Sequence, residues 1–384
     1  MEAVQTFARY AQIGLLMQRL LNALGDGVRR SCAHDAWWRL MCVCAIACSA
    51  ACGTMHRPAT LKLGPPIALA AIEPVVVVLD ESQSSQATLS SFMISGSLVR
   101  CMDYIALEST QKHPCVFAVH EPKEGVAVRG VCVLLPGILG VDSAMWTQAA
   151  LSAYGWRVLT VAPALVDCVL EVMREHADAP LRERGALVAA EFDRIVFSAS
   201  VGTITHLMAM VKQWPDLNGK PVLLIGESMG ALLGVGLAAI GVVPFDAAVF
   251  VAGGGSLIDV IGGSVIRRAV FGDLPMTDPE FCSGFSETVK RDPLQSAHAL
   301  CGGPIVVLSA TNDKIVPSAT QDALWVALGK PPRYTYEGGH LSLFSGAFFT
   351  IVPVIREVAN TIGTRGIAAN ALFEMVLSDA AAMK

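Results

Sequence analysis

Charge is scarce in this sequence. Asp, Glu, Lys and Arg supply 16% of the 384 residues, the formal net charge is −5, and no run of Lys or Arg occurs. A nucleic-acid surface needs concentrated positive charge to release counterions, so no nucleic-acid partner is expected. Disorder is excluded from the other side: 53% of the residues are hydrophobic, ample material for a core. Paired CxxC spacing is also missing. Eleven cysteines are present, but Cys42-x-Cys44 has the wrong spacing for a zinc knuckle and sits in an apolar run. Cys101, Cys115, Cys132, Cys168, Cys282 and Cys301 read as small buried hydrophobes, with one or two disulfides as the alternative in an exported protein. The Gly137–Gly140 turn lacks both the G-x-G-x-x-G spacing and a Walker lysine, which argues against nucleotide binding. No metal cluster or cofactor motif is apparent.

The N-terminal stretch has the order of a targeting segment. Arg29, Arg30 and Arg39 precede the apolar run 40–51, which small residues follow. As a helix that run reaches about 18 Å, short of a bilayer core of about 30 Å. It resembles a bacterial lipoprotein signal, with Cys48 (after Ala45-Ile46-Ala47) and Cys52 (after Ser49-Ala50-Ala51) as lipidation candidates. Neither has Leu at the third preceding position. The expectation is export, with the protein periplasmic or held at a membrane surface on the periplasmic side by a lipid anchor. The competing reading is a packed apolar helix in a cytoplasmic protein. Residues 1–56 are taken as the targeting or anchor segment, 57–98 as linker or N-terminal extension, and 99–384 as the main domain.

That domain alternates strand-like and helix-like stretches. Near-continuous apolar runs over 131–135, 156–161, 222–225, 247–251 and 305–308 predict buried parallel strands. Edge strands are expected over 99–107 and 115–120, and a last strand over 332–336. Residues 75–79 are either a strand or the end of a linker, and 82–91, rich in Ser and Gln, read as loop. Helices are expected over 186–199, 203–214, 229–240, 319–328 and 349–362. The fold class is α/β: a mostly parallel central sheet with helices on both faces.

Four signals sit at the ends of the central strands. Gly226-Glu227-Ser228-Met229-Gly230 is a G-x-S-x-G elbow between an apolar strand and an Ala/Leu-rich helix. The sharp turn projects the Ser228 hydroxyl above the sheet, beside free N–H groups at the helix start. Leu135-Pro136-Gly137-Ile138-Leu139-Gly140 follows another strand and presents backbone N–H groups. The N–H groups of Met229 and Ile138 are therefore the candidate oxyanion hole. Asp313, in Thr311-Asn312-Asp313-Lys314, follows the 305–308 strand. His340, in Glu337-Gly338-Gly339-His340, follows the last strand. A neutral imidazole takes the proton from Ser228, and a buried carboxylate holds the ring in the required tautomer.

These residues resemble the α/β-hydrolase superfamily, in particular its esterase, lipase and serine-peptidase-like branches, over roughly residues 99–362. The resemblance implies an α/β-hydrolase fold with an eight-stranded sheet whose second strand is antiparallel. It also implies a serine hydrolase with Ser228 as nucleophile, Asp313 as acid, His340 as base, and no cofactor. Family members commonly open the oxyanion loop with His-Gly, where this chain has Pro136-Gly137. The expected reaction is cleavage of a carboxylic ester through an acyl-enzyme, on a small-molecule or lipid ester. A serine peptidase or amidase is the alternative within the chemistry, and a non-enzymatic binding protein is the alternative outside it. Either long interval, 163–215 or 253–299, is a candidate helical cap over Ser228, and no charged residue in them stands out as an anchor for a substrate, which favours an apolar or neutral acyl group.

Overall fold

The computed structural model describes residues 53–65, 89–94, 97–104, 115–122, 125–138, 144–163, 165–194, 214–241, 245–271 and 275–363. Cys48, Cys52, the 75–79 run and residues 203–213 lie outside the described residues. Ten strands form one sheet: β1 (Met55–His56), β2 (Leu89–Ile94), β3 (Ser97–Tyr104), β4 (Cys115–His120), β5 (Gly130–Leu135), β6 (Trp156–Pro163), β7 (Val222–Glu227), β8 (Ala247–Val251), β9 (Ile305–Ala310) and β10 (Arg333–Tyr336). Their spatial order is β1-β10-β9-β8-β7-β5-β6-β4-β3-β2. Neighbours from β6 through β10 are parallel, and β4 runs antiparallel to both β3 and β6. This is the mostly parallel sheet of the α/β-hydrolase fold.

The apolar runs form central strands because both sheet faces are covered. In β5, alternate residues feed opposite layers. Val131, Val133 and Leu135 join one core cluster, and Cys132 and Leu134 join the other. The first cluster takes in α2 (Leu165–Glu175), α3 (Leu181–Arg194), α4 (Met229–Ile240), α5 (Leu257–Gly263), α7 (Pro279–Thr288) and α9 (Ser318–Ala327). The second takes in α1 (Met145–Ala153) and α11 (Ala347–Gly363). Short helices α6 (Arg267–Phe271), α8 (Pro293–Ala297) and α10 (His340–Ser345) complete the described set. Each fully buried Val, Leu or Ile contributes about 1.5–3 kcal/mol, so these two layers hold the sheet. Among the described residues, no helix is long and apolar enough to cross a membrane.

The sheet has ten strands, where the resemblance implied eight. One addition is β2, which begins inside the stretch expected to be loop. Its pairing with β3, from Leu89↔Met102 to Ile94↔Ser97, supplies a ladder that outweighs its Ser content. The other is β1, which closes the opposite edge by antiparallel pairing of Met55 with Tyr336 and His56 with Thr335. The boundary drawn after residue 56 thus falls directly behind a strand of the sheet. Around it, Glu337 N–H donates to Thr54 O at 2.9 Å, and Leu61 and Leu63 pack on the second core cluster. Gly53 lies so close to the next loop that a Cβ would meet Glu337 O at 1.7 Å.

Candidate active site

Parallel strands bring the four sequence signals to one edge. Leu135 pairs with Gly226, and Glu227 with Val251, so the turn after β5 and the elbow after β7 leave the sheet at the same level. Tyr336 pairs with Ala310, so the loops after β9 and β10 do likewise. Those two loops are tied together by Thr311 N–H to Tyr336 O (3.0 Å) and Asn312 N–H to Gly338 O (2.9 Å). Ligand sites in open α/β sheets lie at such carboxyl ends.

Ser228 is the turn residue between β7 and α4, with φ 55° and ψ −116°. Non-glycine residues pay strain at positive φ, and such outliers persist where the surroundings over-determine them. Here Ser228 N–H donates to Val251 O at 2.8 Å, and Ser228 O accepts from Ala231 N–H at 2.9 Å. The flanking glycines are steric requirements. A Cβ on Gly226 would meet Ala231 Cα at 2.6 Å, and one on Gly230 would meet Leu135 O at 1.9 Å. Met229 opens α4, so its N–H has no partner within the helix.

Asp313 and His340 are brought together: Asp313 Oδ2 lies 2.7 Å from His340 Nδ1. Asp313 Oδ1 accepts from the Ile315 and Val316 N–H groups, both at 2.9 Å, and Oδ2 also accepts from Gln321 Nε2 at 3.0 Å. The ring's neighbours on the carboxylate are donors, so in the neutral imidazole the tautomer that fits has the proton on Nδ1 and the lone pair on Nε2. Both side chains are buried. The imidazole also sits against Phe344, with ring centroids 4.8 Å apart.

Sequence reasoning missed Gln321. Fully buried on α9, it donates to Val316 O at 2.8 Å as well as to Asp313, and its Oε1 accepts from Ala310 N–H at 3.1 Å. It therefore joins the end of β9 to the loop that carries the acid. Nothing in the sequence separates it from a surface glutamine. Gln321→Leu is expected to strand Ala310 N–H and loosen Asp313, costing about 1–3 kcal/mol of stability, which urea unfolding will measure.

An open cleft sits over these strand ends. Ile138, Ser228 and Met229 line it together, as do Ile315 and Val316 of the acid loop. Both candidate cap intervals contribute, Phe192 from the first and Phe285 from the second. The lining is almost wholly apolar, with Arg267 its one charged residue among the described residues.

Glu227, the variable residue of the elbow motif before Ser228, is the second feature not read from sequence. Only 1% exposed, it accepts a hydrogen bond from Thr147 Oγ1 at 2.5 Å. Burial pushes its carboxyl up to about 7, and the Thr147 bond pulls the other way. Among the described residues, no group of three or more His, Cys, Asp or Glu is arranged to hold a metal ion.

No protein-family model matches this chain, and no curated protein matches it in sequence. Solved structures of similar chain path include the Pyrococcus horikoshii acylaminoacyl peptidase, at 12% identity and a TM-score of 0.45, over 76% of this chain and 44% of the peptidase. The chain thus spans less than half of that protein's length. An acetyl xylan esterase from Thermoanaerobacterium sp. is similar at 15% identity and a TM-score of 0.46, over 66% of this chain and 82% of the esterase. A second, from Paenibacillus sp. R4, is similar at 12% identity and a TM-score of 0.47, over 71% and 88%.

Proposed function

We propose that the protein is a serine hydrolase that cleaves carboxylic esters through an acyl-enzyme. The observation that carries this reading is the His340 Nδ1–Asp313 Oδ2 contact on a donor-ringed carboxylate, at the same sheet edge as the strained Ser228. His340 Nε2 takes the Ser228 proton as Oγ bonds to the ester carbonyl carbon, and the carbonyl electron pair moves onto oxygen. The N–H groups of Met229 and Ile138 stabilise that oxyanion. Collapse breaks the ester C–O bond, and the imidazolium returns its proton to the leaving alkoxide. Water then repeats the sequence on the acyl-enzyme, releasing the acid and restoring Ser228.

The apolar cavity supports an acyl group that is itself apolar, because burying an unpaired charge there is costly. The stretch with Arg29, Arg30 and Arg39 ahead of the apolar run 40–51 supplies the proposed export segment, with a lipid anchor at Cys48 or Cys52 as its membrane-bound form.

A fluorophosphonate probe tests the assignment on the full chain. Stoichiometric labelling is expected, and peptide mapping is expected to find the adduct on Ser228. A folded sample that takes up no probe, or carries the adduct elsewhere, would overturn it. Matched acyl esters and anilides then separate esterase from amidase, with esters expected to turn over faster.

A further inference from the structure

Arg267 is the one charged side chain among the described residues that line the cleft, and it stands beside Ile266, Val270 and Phe271 of the same lining. It is half-buried. Other arginines of the protein hold a carboxylate: Arg157 has Glu121 and Asp216, Arg182 has Glu287, and Arg333 has Asp322. Among the described residues Arg267 has none. Its side chain donates once, from Nη1 to Gly262 O at 3.3 Å, a long contact to the last turn of α5. A guanidinium presents five N–H donors in a planar fork, so most of this fork is uncommitted. A cation held half-buried against apolar walls is costly unless it is paired.

The segment that carries Arg267 is fixed against the acid loop. Val265 N–H donates to Lys314 O at 2.9 Å, and Gly263 packs so closely on Pro317 that a Cβ would lie 2.9 Å from the proline Cγ. Arg267 N–H in turn donates to Ser264 O at 3.2 Å. Ile315 and Val316 of the acid loop line the same cleft as Ser228. Arg267 is thus held at the acid-loop side of that cleft. The segment also reaches the surface: Val265 is 56% exposed, and Arg268 and Ala269 are exposed. Other walls are apolar, from Val169 of α2, Val188 and Phe192 of α3 and Phe285 of α7.

We infer that Arg267 anchors the alcohol half of the substrate, and that this half carries a carboxylate. This inference rests on the serine-hydrolase reading and narrows its substrate class. In an acyl-enzyme the acyl half stays bound while the alcohol leaves and water takes its place. The acyl half therefore takes the apolar walls, and the alcohol lies toward the exposed segment. A carboxylate there accepts two parallel N–H bonds from the fork and gives the half-buried cation its partner. Arg267 binds and selects, and takes no part in making or breaking bonds. Losing such an anchor raises KM more than it lowers kcat.

The test uses butyrate esters of ω-hydroxy acids of increasing chain length, each beside the butyrate ester of the matching alkanol, with hydrolysis by the full-length protein followed in a pH-stat. Monoethyl glutarate, with ethyl valerate beside it, places the carboxylate on the acyl half instead. The parent is expected to favour an acid-tailed alcohol over its alkyl match by roughly 10-fold or more in kcat/KM. Arg267→Gln is expected to lower that ratio by roughly 10- to 100-fold, mainly through KM. Arg267→Lys, which keeps the charge without the fork, is expected to fall between the two. An equal loss on both esters in Arg267→Gln would reduce Arg267 to a cap on α5 and overturn the inference. So would a parent with no preference for the acid tail, or an Arg267-dependent preference confined to monoethyl glutarate. In each of these cases fluorophosphonate labelling of Ser228 would leave the hydrolase reading standing. A parent protein inert to every ester and to the probe would end both readings together.

Discussion

Replacing Ser228 by Gly is expected to abolish turnover, lowering kcat by roughly 10⁶-fold, and at the same time to stabilise the protein by about 1 kcal/mol. The two effects have separate causes. On the proposed mechanism turnover is lost because the attacking oxygen is gone. Stability rises because Ser228 sits at φ 55°, where a Cβ is strained and glycine is not. Relief of about 1–3 kcal/mol is partly offset by the roughly 0.5–1 kcal/mol that glycine loses in chain entropy. Ser228→Ala separates the two effects, since alanine keeps the Cβ and hence the strain. It should be equally inactive and no more stable than the parent. Urea unfolding of the three proteins at one pH provides the comparison. A Gly variant less stable than the Ala variant would mean that the elbow stores no usable strain.

The second large effect is in how stability depends on pH. Burial raises the Glu227 carboxyl from 4.5 to about 7 in the folded protein. Between those values the folded state holds a proton that the unfolded state has released. Stability therefore falls as pH rises from about 4.5 to 7, by about 3 kcal/mol in all, and stays low above that range. His120 acts in the opposite sense. Burial lowers its imidazole from 6.5 to about 4, so the unfolded chain takes up a proton that the folded protein refuses. Its contribution is present above pH 6.5 and is lost as pH falls towards 4. The two slopes oppose each other across the overlap. Glu227→Gln removes only the first, so it should be more stable than the parent at pH 8 by about 3 kcal/mol more than at pH 4.5. Denaturant midpoints at the two pH values measure that difference, and an equal gap at both would contradict the burial-driven shift.

The sequence carried most of the central sheet. β8 was legible to the residue, and β5, β6, β7 and β9 to within a few, because a strand buried on both faces leaves an unbroken apolar run. β4 was bounded to the residue, but it and β3 were expected at an edge, whereas β4 lies between β3 and β6 and β2 covers β3. The loops bearing Asp313 and His340 were legible for a related reason, since Gly, Asp and His stand where the apolar runs stop, and the structure brings the two side chains together. What escaped was polar and edge structure. β2 carries Ser90 and Ser91, and β1 is two residues long, so neither shows a hydrophobic period. Helix α3 begins at Leu181, earlier than expected, because Arg182, Glu183 and Arg184 masked its amphipathic face. Gln321 and Glu227 escaped because a buried polar residue is recognised by its partners, and partners are set by the fold rather than by adjacent sequence.

Strand β1 also bears on the order in which the molecule assembles. The His56–Glu337 contact joins residues 281 positions apart, and the Gly53–Tyr336 contact spans 283. Contacts of such separation are slow to form, because the intervening chain must be ordered before they are rewarded. During synthesis β1 is made long before β10, so the sheet edge beside the His340 loop stays open until the last strand has emerged and docked. Until then β9 presents unpaired backbone groups to other chains. A nascent or truncated chain ending short of residue 333 would thus carry the elbow at Ser228 without the loop that bears His340, and on the proposed mechanism it would gain activity only with the final closure of the sheet.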